Sequence, residues 1–431
     1  MGEVMTYLWH PFAQMGAVSS GEFVVDRGED VWIWDAEGRR YFDATASLWY
    51  ANVGHGRHEI REAVSRQMEK IEAYSIFGDF ATAPALELAE RLVRLAPVDD
   101  ARVFLSSGGG DSIDTAFKLA RRYWYEIGQP ERTHVISREH GYHGSHGYGT
   151  SLAGIPANRH GSGPLIEDQS VVAYDSVEAL EARLQEVGPE RVAAFFVEPV
   201  IGAGGVYPPP EGYIEGVASA CKRHGVLLVV DSVICAFGRL GNWFGPERWE
   251  VRPDMITFAK GVTSGYLPLG GLMVDGRVAE PFWGSTDAPP FRHGATYAGH
   301  AACCAAALAN LDILENERLI PRGRELEGEL LAALAALDDH PLSGGARGGV
   351  GLLAAVELDA GLLTSRPGAV SEAFALMRER GVLVRALPSS IAVSPPLTAT
   401  PEHFALITEA LAESLDVLAA RARSAPAMSA G

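Results

Sequence analysis

Short apolar and polar segments alternate through the first part of the chain. Apolar residues cluster at 23–25, 31–34 and 40–42, and turn-forming segments 27–30 and 35–38 separate them. This pattern predicts a small antiparallel meander. From about residue 57 the pattern changes, and helical stretches such as 84–95 and 112–124 alternate with buried-type apolar runs. The runs are 103–105, 133–136, 192–197, 226–230 and 255–258. Such alternation predicts a mostly parallel sheet with helices on both faces.

A third pattern begins after residue 299. It predicts an alanine-rich helix at 300–316 and an apolar-periodic helix at 325–337. Two strands near 351–358 and 381–384 follow, and then a final amphipathic helix at 401–421. The patterns thus predict α+β structure at both ends of the chain and an α/β region between them. We therefore predict a large domain (57–299) and one small domain built from both termini (1–56 and 300–431). The tail 424–431 is expected to be frayed.

Composition limits the class of protein. The chain has 431 residues, of which 47% are apolar, and a net charge of −19. It is too long for one ordinary core, and its acidity argues against nucleic acid or anionic lipid as a partner. The apolar runs are too short for a membrane span, and the first residues lack the pattern of a secretory signal. Four cysteines without disulfide or metal-knuckle spacing favour a reducing compartment. We expect a cytoplasmic protein.

Three of the apolar runs end in charged residues. Run 192–197 is followed by Glu198, run 226–230 by Asp231, and run 255–258 leads to Lys260. Ligands bind at the carboxyl ends of parallel strands. Burial lowers the pKa of a lysine, and a neutral amine is what imine formation with an aldehyde requires. An ion pair of Lys260 with either carboxylate is the structural alternative. The other three lysines fall in predicted amphipathic helices: Lys70, Lys118 and Lys222.

Two glycine-rich segments supply further candidate groups. Residues 106–111 (SSGGGD) follow a predicted strand and open a helix, where converging N–H groups attract phosphate. The segment is neither a Walker loop nor a GxGxxG fingerprint. Tyr142 lies between glycines and can stack on a planar ligand.

His140, His143 and His146 are spaced by three residues, which raises a metal site as an alternative. We expect no metal, because glycines make this segment a loop and the usual partner ligands are missing. A phosphate cradle, a stacking ring, a carboxylate and an imine-forming lysine together fit pyridoxal 5′-phosphate. Its ring nitrogen needs a fixed carboxylate, a role that suits Asp231.

At these residues the sequence resembles the class III (ω-) aminotransferases, which are fold-type I pyridoxal phosphate enzymes. The resemblance runs from residues 8–12 (LWHPF) to the last helix. The most specific stretches are 107–121 (SGGGDSIDTAFKLAR), 142–144 (YHG), 197–199 (VEP), 231–241 (DSVICAFGRLG), 258–270 (FAKGVTSGYLPLG) and 293–300 (HGATYAGH). It implies an α/β fold with a large, mostly parallel-sheet domain and a small α+β domain, and a homodimer whose active sites lie at the interface.

The resemblance also implies a role for each matching residue. Lys260 would hold the cofactor and move the proton during transfer, and Asp231 would pair with the pyridine nitrogen. Tyr142 and Val233 would sandwich the cofactor ring, and His143 of the YHG stretch would also bind the cofactor. The phosphate would be bound by Gly109, Gly110 and Thr296 of the neighbouring subunit. Glu198 would support the Asp231 side of the pocket or pair with a mobile arginine. Two positions depart from the family pattern: Gly110 stands where a serine is common, and Ser232 where a glutamate is common.

The substrate pocket is less defined by the sequence. Segment 47–56 is similar to one in which Trp49 forms a pocket wall, and Tyr50 and Phe77 are further candidates, Phe77 from either subunit. Arg385 matches the arginine that binds a substrate carboxylate, although the family's following G-D is here Pro388-Ser389. An ordinary core tryptophan and a surface arginine are the alternatives.

The expected function is an ω-aminotransferase. It would move an amino group from an amine or ω-amino acid to a keto acid, most plausibly pyruvate, by ping-pong chemistry. An aminomutase or decarboxylase on the same scaffold is one alternative, and a catalytically inactive binding scaffold is another. The sequence does not identify the amine or the stereochemistry.

Overall fold

The computed structural model describes residues 6–18 and 21–424, with side chains to residue 421. The predicted frayed tail lies almost wholly outside these residues. The strands are β1 (Val25–Glu29), β2 (Trp32–Asp35), β3 (Arg40–Asp43), β4 (Arg102–Ser106), β5 (His134–Arg138), β6 (Gln169–Val172), β7 (Val192–Val197), β8 (Leu227–Asp231), β9 (Met255–Phe258), β10 (Gly270–Val274), β11 (Ser343–Arg347), β12 (Ala354–Leu358), β13 (Val382–Leu383), β14 (Arg385–Ala386) and β15 (Ser390–Val393).

The α-helices cover these strands and link them. They are α1 (Met15–Val18), α2 (Ala46–Trp49), α3 (His58–Lys70), α4 (Ala83–Leu95), α5 (Gly109–Glu126), α6 (Gly147–Leu152), α7 (Pro156–Arg159), α8 (Val177–Val187), α9 (Tyr213–His224), α10 (Gly276–Trp283), α11 (Ala301–Asn316), α12 (Leu319–Glu325), α13 (Glu327–Ala335), α14 (Ala360–Ser365), α15 (Ala369–Glu379) and α16 (Pro401–Ser424). No helix in the described part of the chain is long and apolar enough to cross a membrane.

A large mixed sheet forms the centre of the molecule. Its strand order is β4-β10-β9-β8-β7-β5-β6. Strands β5 to β9 pair in parallel, whereas β10 runs antiparallel between β4 and β9. Every residue of β7 and β8 is buried, as expected for strands covered on both faces. The predicted α/β class and fold type are confirmed.

The two smaller sheets lie in the terminal parts of the chain. One has the order β1-β2-β3-β13 and the other β11-β12-β15-β14. Strand β13 pairs in parallel with β3, with Val382 opposite Phe42. Residues from both ends of the chain therefore share one sheet, which supports the predicted small domain. Its boundaries at residues 56 and 299 remain a prediction.

A buried arginine joins the loop after β8 to the C-terminal part of the chain. Arg239 is fully buried and donates hydrogen bonds to the carbonyls of Leu352 (2.9 Å) and Pro395 (2.6 Å) and to Oδ1 of Asn52 (2.8 Å). A buried guanidinium that lost these acceptors would be costly to accommodate. The contacts therefore fix the loop that starts at Asp231 against both terminal segments.

Candidate active site

A cavity of about 460 Å³ opens at the carboxyl ends of the central strands. The candidates that line it are Tyr50, Gly109, Gly110, Tyr142, His143, Glu198, Asp231, Val233 and Lys260. They come from distant parts of the chain, and the parallel sheet brings them to one edge. The structure thus brings together most of the residues that the sequence singled out.

Lys260 enters the cavity directly after β9. Its backbone has φ +42°, a left-handed conformation that is uncommon for a residue with a side chain. Burial lowers the pKa of Lys260 below its ordinary value, although the negative charges of Asp231 and Glu198 act in the opposite direction. The positive charge of Arg385 lowers this pKa further. A lysine in this setting gives up its proton more readily than one in water.

Asp231 ends β8 and is held by three donors. His143 Nδ1 lies 2.8 Å from Oδ2, and Oδ1 accepts hydrogen bonds from the Val233 amide and the Thr257 hydroxyl, each at 3.1 Å. The residue is only 4% exposed. These contacts fix the orientation of the carboxylate and stabilise its negative charge. Thr257, a polar residue inside an otherwise apolar strand, was not among the predicted site residues.

Glu198 holds the loop that carries Tyr142. Its Oε1 accepts the amide of Tyr142 and its Oε2 the amide of Gly202, both at 3.0 Å. Burial raises the pKa of Glu198, which lies near the charge of Asp231. Burial also raises the pKa of the Tyr142 hydroxyl, so that the ring stays neutral at physiological pH. Glu198 therefore acts on the cavity through the backbone of residues 141–144 as well as by its charge.

The first turn of α5 forms one end of the cavity. A Cβ at Gly109 would lie 2.9 Å from Cγ1 of Val233, so only glycine lets the helix approach Val233 this closely. At Gly144 the backbone has φ +89°, and a Cβ would lie 3.1 Å from the Cα of Gly110. The N–H groups of a first helical turn have no partner within the helix. Bare backbone donors therefore face this end of the cavity, as an anion site requires.

Four predicted residues do not line this cavity of their own chain. Trp49 is buried in an apolar cluster with residues such as Val200 and Ile234 and does not line the cavity. Arg385 lies on β14 and forms no ion pair with the residues that the structure describes. Its charge nevertheless affects the pKa of Tyr142. Phe77 and Thr296 are exposed and do not line this cavity of their own chain.

The three closely spaced histidines have separate surroundings. His140 packs on Tyr207, with ring centroids 4.8 Å apart. His143 contacts Asp231, and Nδ1 of His146 lies 3.5 Å from Oδ1 of Asp111. Among the described residues, no three His, Cys, Asp or Glu side chains are grouped so that they could hold a metal ion. His146 lines the cavity beside Gly110 and was not among the predicted site residues.

Comparison with known proteins identifies the family to which this site belongs. A family model described as class-III aminotransferase matches residues 15–415. The chain belongs to the class III aminotransferases. This family depends on pyridoxal 5′-phosphate, and the site fits that cofactor. A glycine cradle that Cβ atoms would fill lies at one end of the cavity, and a fixed carboxylate and a buried lysine line its wall.

Individual relatives agree with the family assignment. A putrescine–pyruvate aminotransferase of Pseudomonas aeruginosa is 37% identical, over 93% of this aminotransferase and 92% of that protein. An (S)-enantioselective ω-transaminase of Thermomicrobium roseum has a TM-score of 0.91 and 39% identity, covering 95% and 96% of the two chains. An amine transaminase from an uncultivated Pseudomonas species, solved in its pyridoxal phosphate-bound form, has a TM-score of 0.91 and 34% identity, covering 96% and 100%.

Proposed function

We propose that this aminotransferase is an ω-aminotransferase, which moves an amino group from an amine or ω-amino acid to a keto acid, pyruvate, in two half-reactions. The observation that carries the proposal is a buried lysine with a lowered pKa in the same cavity as the Asp231–His143 pair. The names of the relatives support the substrate class, because they include an ω-transaminase and a putrescine–pyruvate aminotransferase.

The bound cofactor supplies an aldehyde that takes up the amino group and a ring that accepts electrons. Lys260 would serve as the base and acid, because burial favours its neutral amine. Asp231 would pair with the ring nitrogen of the cofactor, and His143 keeps this carboxylate oriented. Tyr142 and Val233 would hold the ring, and Gly109 and Gly110 would bind the phosphate through the first turn of α5.

The substrate side of the pocket rests on three residues. Tyr50 lines the cavity, and the hydroxyl of Ser47 donates to the Tyr50 hydroxyl at 2.5 Å. Trp49 does not line the cavity, and it lies in an apolar cluster that includes Ile234, a residue of the cavity wall. Arg385 is the cation that binds the carboxylate of the keto acid, since bidentate recognition of carboxylates suits arginine.

We further propose a homodimer with active sites at its interface. Exposed aromatic residues support it, namely Tyr74, Phe77, Phe80, Trp283 and Tyr297. Phe77 lies beside a second, mostly apolar cavity of about 500 Å³ that also borders segment 289–298. Thr296 of the partner subunit would complete the phosphate site. Light scattering of the purified protein tests the dimer. The cytoplasmic location remains a prediction.

Half-reactions with a panel of amines test the function. The protein loaded with pyridoxal 5′-phosphate is mixed with each amine, and loss of the cofactor's visible absorbance is followed before pyruvate is added. We expect bleaching with at least one amine that lacks an α-carboxylate, and recovery of the colour with pyruvate as one alanine forms per amine consumed. Absence of bleaching with every amine contradicts the proposal. Release of CO₂, or an isomerised amine without a keto product, would indicate a decarboxylase or aminomutase.

A further inference from the structure

The ring of His146 occupies the space beside Gly110. A Cβ at position 110 would lie 3.1 Å from both Cε1 and Nε2 of this ring and 3.2 Å from Cδ2. The ring therefore stands where a side chain at position 110 would extend. His146 also lines the cavity, next to the glycines that open α5.

Two carboxylates at the start of α5 lie near His146. The Nδ1 atom of its ring lies 3.5 Å from Oδ1 of Asp111, so the Nε2 side of the ring is the one that faces Gly110. Asp114, whose carboxylate is electrostatically coupled to His146, adds a second negative charge on the same helix. In the tautomer that has its hydrogen on Nε2, the imidazole carries an N–H donor on the side of Gly110. Gly110 itself offers only its backbone.

We propose that His146 is a cofactor-binding residue that donates its Nε2–H to the phosphate of pyridoxal 5′-phosphate, in place of a side-chain donor at Gly110. The inference deepens the proposed function and rests on the phosphate lying at the start of α5. A charge-assisted hydrogen bond of this kind adds to the backbone donors of the helix N-terminus.

Cofactor titration of the apoprotein tests this role without any activity assay. Dissociation constants are measured by absorbance and protein fluorescence for pyridoxal 5′-phosphate and for pyridoxal, which lacks the phosphate. In His146→Ala we expect affinity for the phosphorylated cofactor to fall about ten- to hundredfold, the usual effect of losing a hydrogen bond to a charged group. Affinity for pyridoxal should stay within about twofold. His160→Ala, at an exposed histidine outside the cavity, is the matched control.

A rescue variant separates a direct contact from a structural one. In Gly110→Ser alone the new side chain meets the His146 ring, so affinity for the phosphorylated cofactor should fall. In Gly110→Ser combined with His146→Ala, the serine hydroxyl enters the vacated space and should recover most of that affinity. Circular dichroism checks that each variant is folded. Should His146→Ala not fold, His146→Gln, which keeps an N–H donor, replaces it, and a loss below threefold is expected.

The inference is overturned if His146→Ala binds the phosphorylated cofactor with unchanged affinity, or if its affinities for pyridoxal 5′-phosphate and for pyridoxal fall equally. It is also overturned if His146→Gln binds the phosphorylated cofactor as weakly as His146→Ala does. If the wild-type protein binds neither ligand, the proposed function fails instead. The two failures are therefore distinguishable.

Discussion

Replacing Lys260 by methionine should stabilise the cofactor-free protein at neutral pH. Burial lowers the pKa of Lys260 and outweighs the attraction of Asp231 and Glu198. The folded state therefore binds this proton less tightly than the unfolded state. Below both pKa values the wild-type protein bears the full cost of burying the charge, and stability rises as pH passes from the folded toward the unfolded pKa. Methionine is similar in length and carries no charge.

The size of the effect follows from the same linkage. Each unit by which the pKa is lowered corresponds to about 1.4 kcal/mol. A chain of 431 residues unfolds with an entropy of about 0.9 kcal/mol/K, so 1 kcal/mol shifts the melting temperature by about 1 °C. Lys260→Met should therefore melt about 1.5 °C higher at pH 7 for each unit of lowering. The difference should shrink as pH approaches about 10.4, the ordinary lysine pKa.

Differential scanning fluorimetry of the apoproteins between pH 6.5 and pH 10 measures this difference. Lys222→Met is the matched control, because Lys222 is exposed in the last turn of α9 and its loss should change stability by about 0.5 kcal/mol or less. The reasoning is refuted if Lys260→Met melts at or below the wild-type temperature at pH 7. It is also refuted if the gap between the two proteins does not narrow with rising pH.

Three further changes test other parts of the site. Asp231→Asn removes the charge that would pair with the ring nitrogen of the cofactor. We expect kcat to fall about a hundredfold or more in steady-state assays, with the fold kept as checked by circular dichroism. A loss below about tenfold contradicts the role. Gly109→Ala places a Cβ 2.9 Å from Cγ1 of Val233, at an overpacking cost of about 1–3 kcal/mol. The dissociation constant of the cofactor, measured by absorbance titration, should therefore rise about five- to hundredfold. An unchanged constant refutes the close packing. Arg385→Gln removes the cation proposed to bind the keto-acid carboxylate, so KM for pyruvate should rise about tenfold or more. The half-reaction with a simple amine should be unchanged. Equal losses with pyruvate and with the amine would exclude a carboxylate-binding role.

The central strands were predictable because their burial is complete. Strands β7 and β9 have the predicted bounds: β7 is a continuous apolar run, and β9 is apolar except for Thr257. Strand β10 was missed because Gly270 and Gly271 follow a proline and resemble a turn. In the structure these glycines allow close packing, since a Cβ at Gly271 would lie 2.4 Å from the ring of Phe258. The need for glycine at this position arises from the neighbouring strands β9 and β4, and the local sequence does not reveal that pairing.

The candidate site was predictable where it depends on strand ends. Glu198, Asp231 and Lys260 lie together because parallel strands end at the same edge. The contact of His143 with Asp231 joins residues that lie 88 positions apart, and no spacing rule reveals it. The wall formed by His146 was missed for a similar reason, because its position depends on the path of the loop after β5. Sequence patterns thus identified the strand-end groups and the loop residues Tyr142 and His143, but not the contact of His143 with Asp231 or the position of His146.

The most direct test of the account is the site of covalent attachment. The protein is loaded with pyridoxal 5′-phosphate, reduced with sodium borohydride and digested, and the labelled peptide is identified by mass spectrometry. The account predicts one label per chain, on Lys260, and none in Lys260→Met. A label on Lys70, Lys118 or Lys222, or no label on a wild-type protein that binds the cofactor, would contradict it.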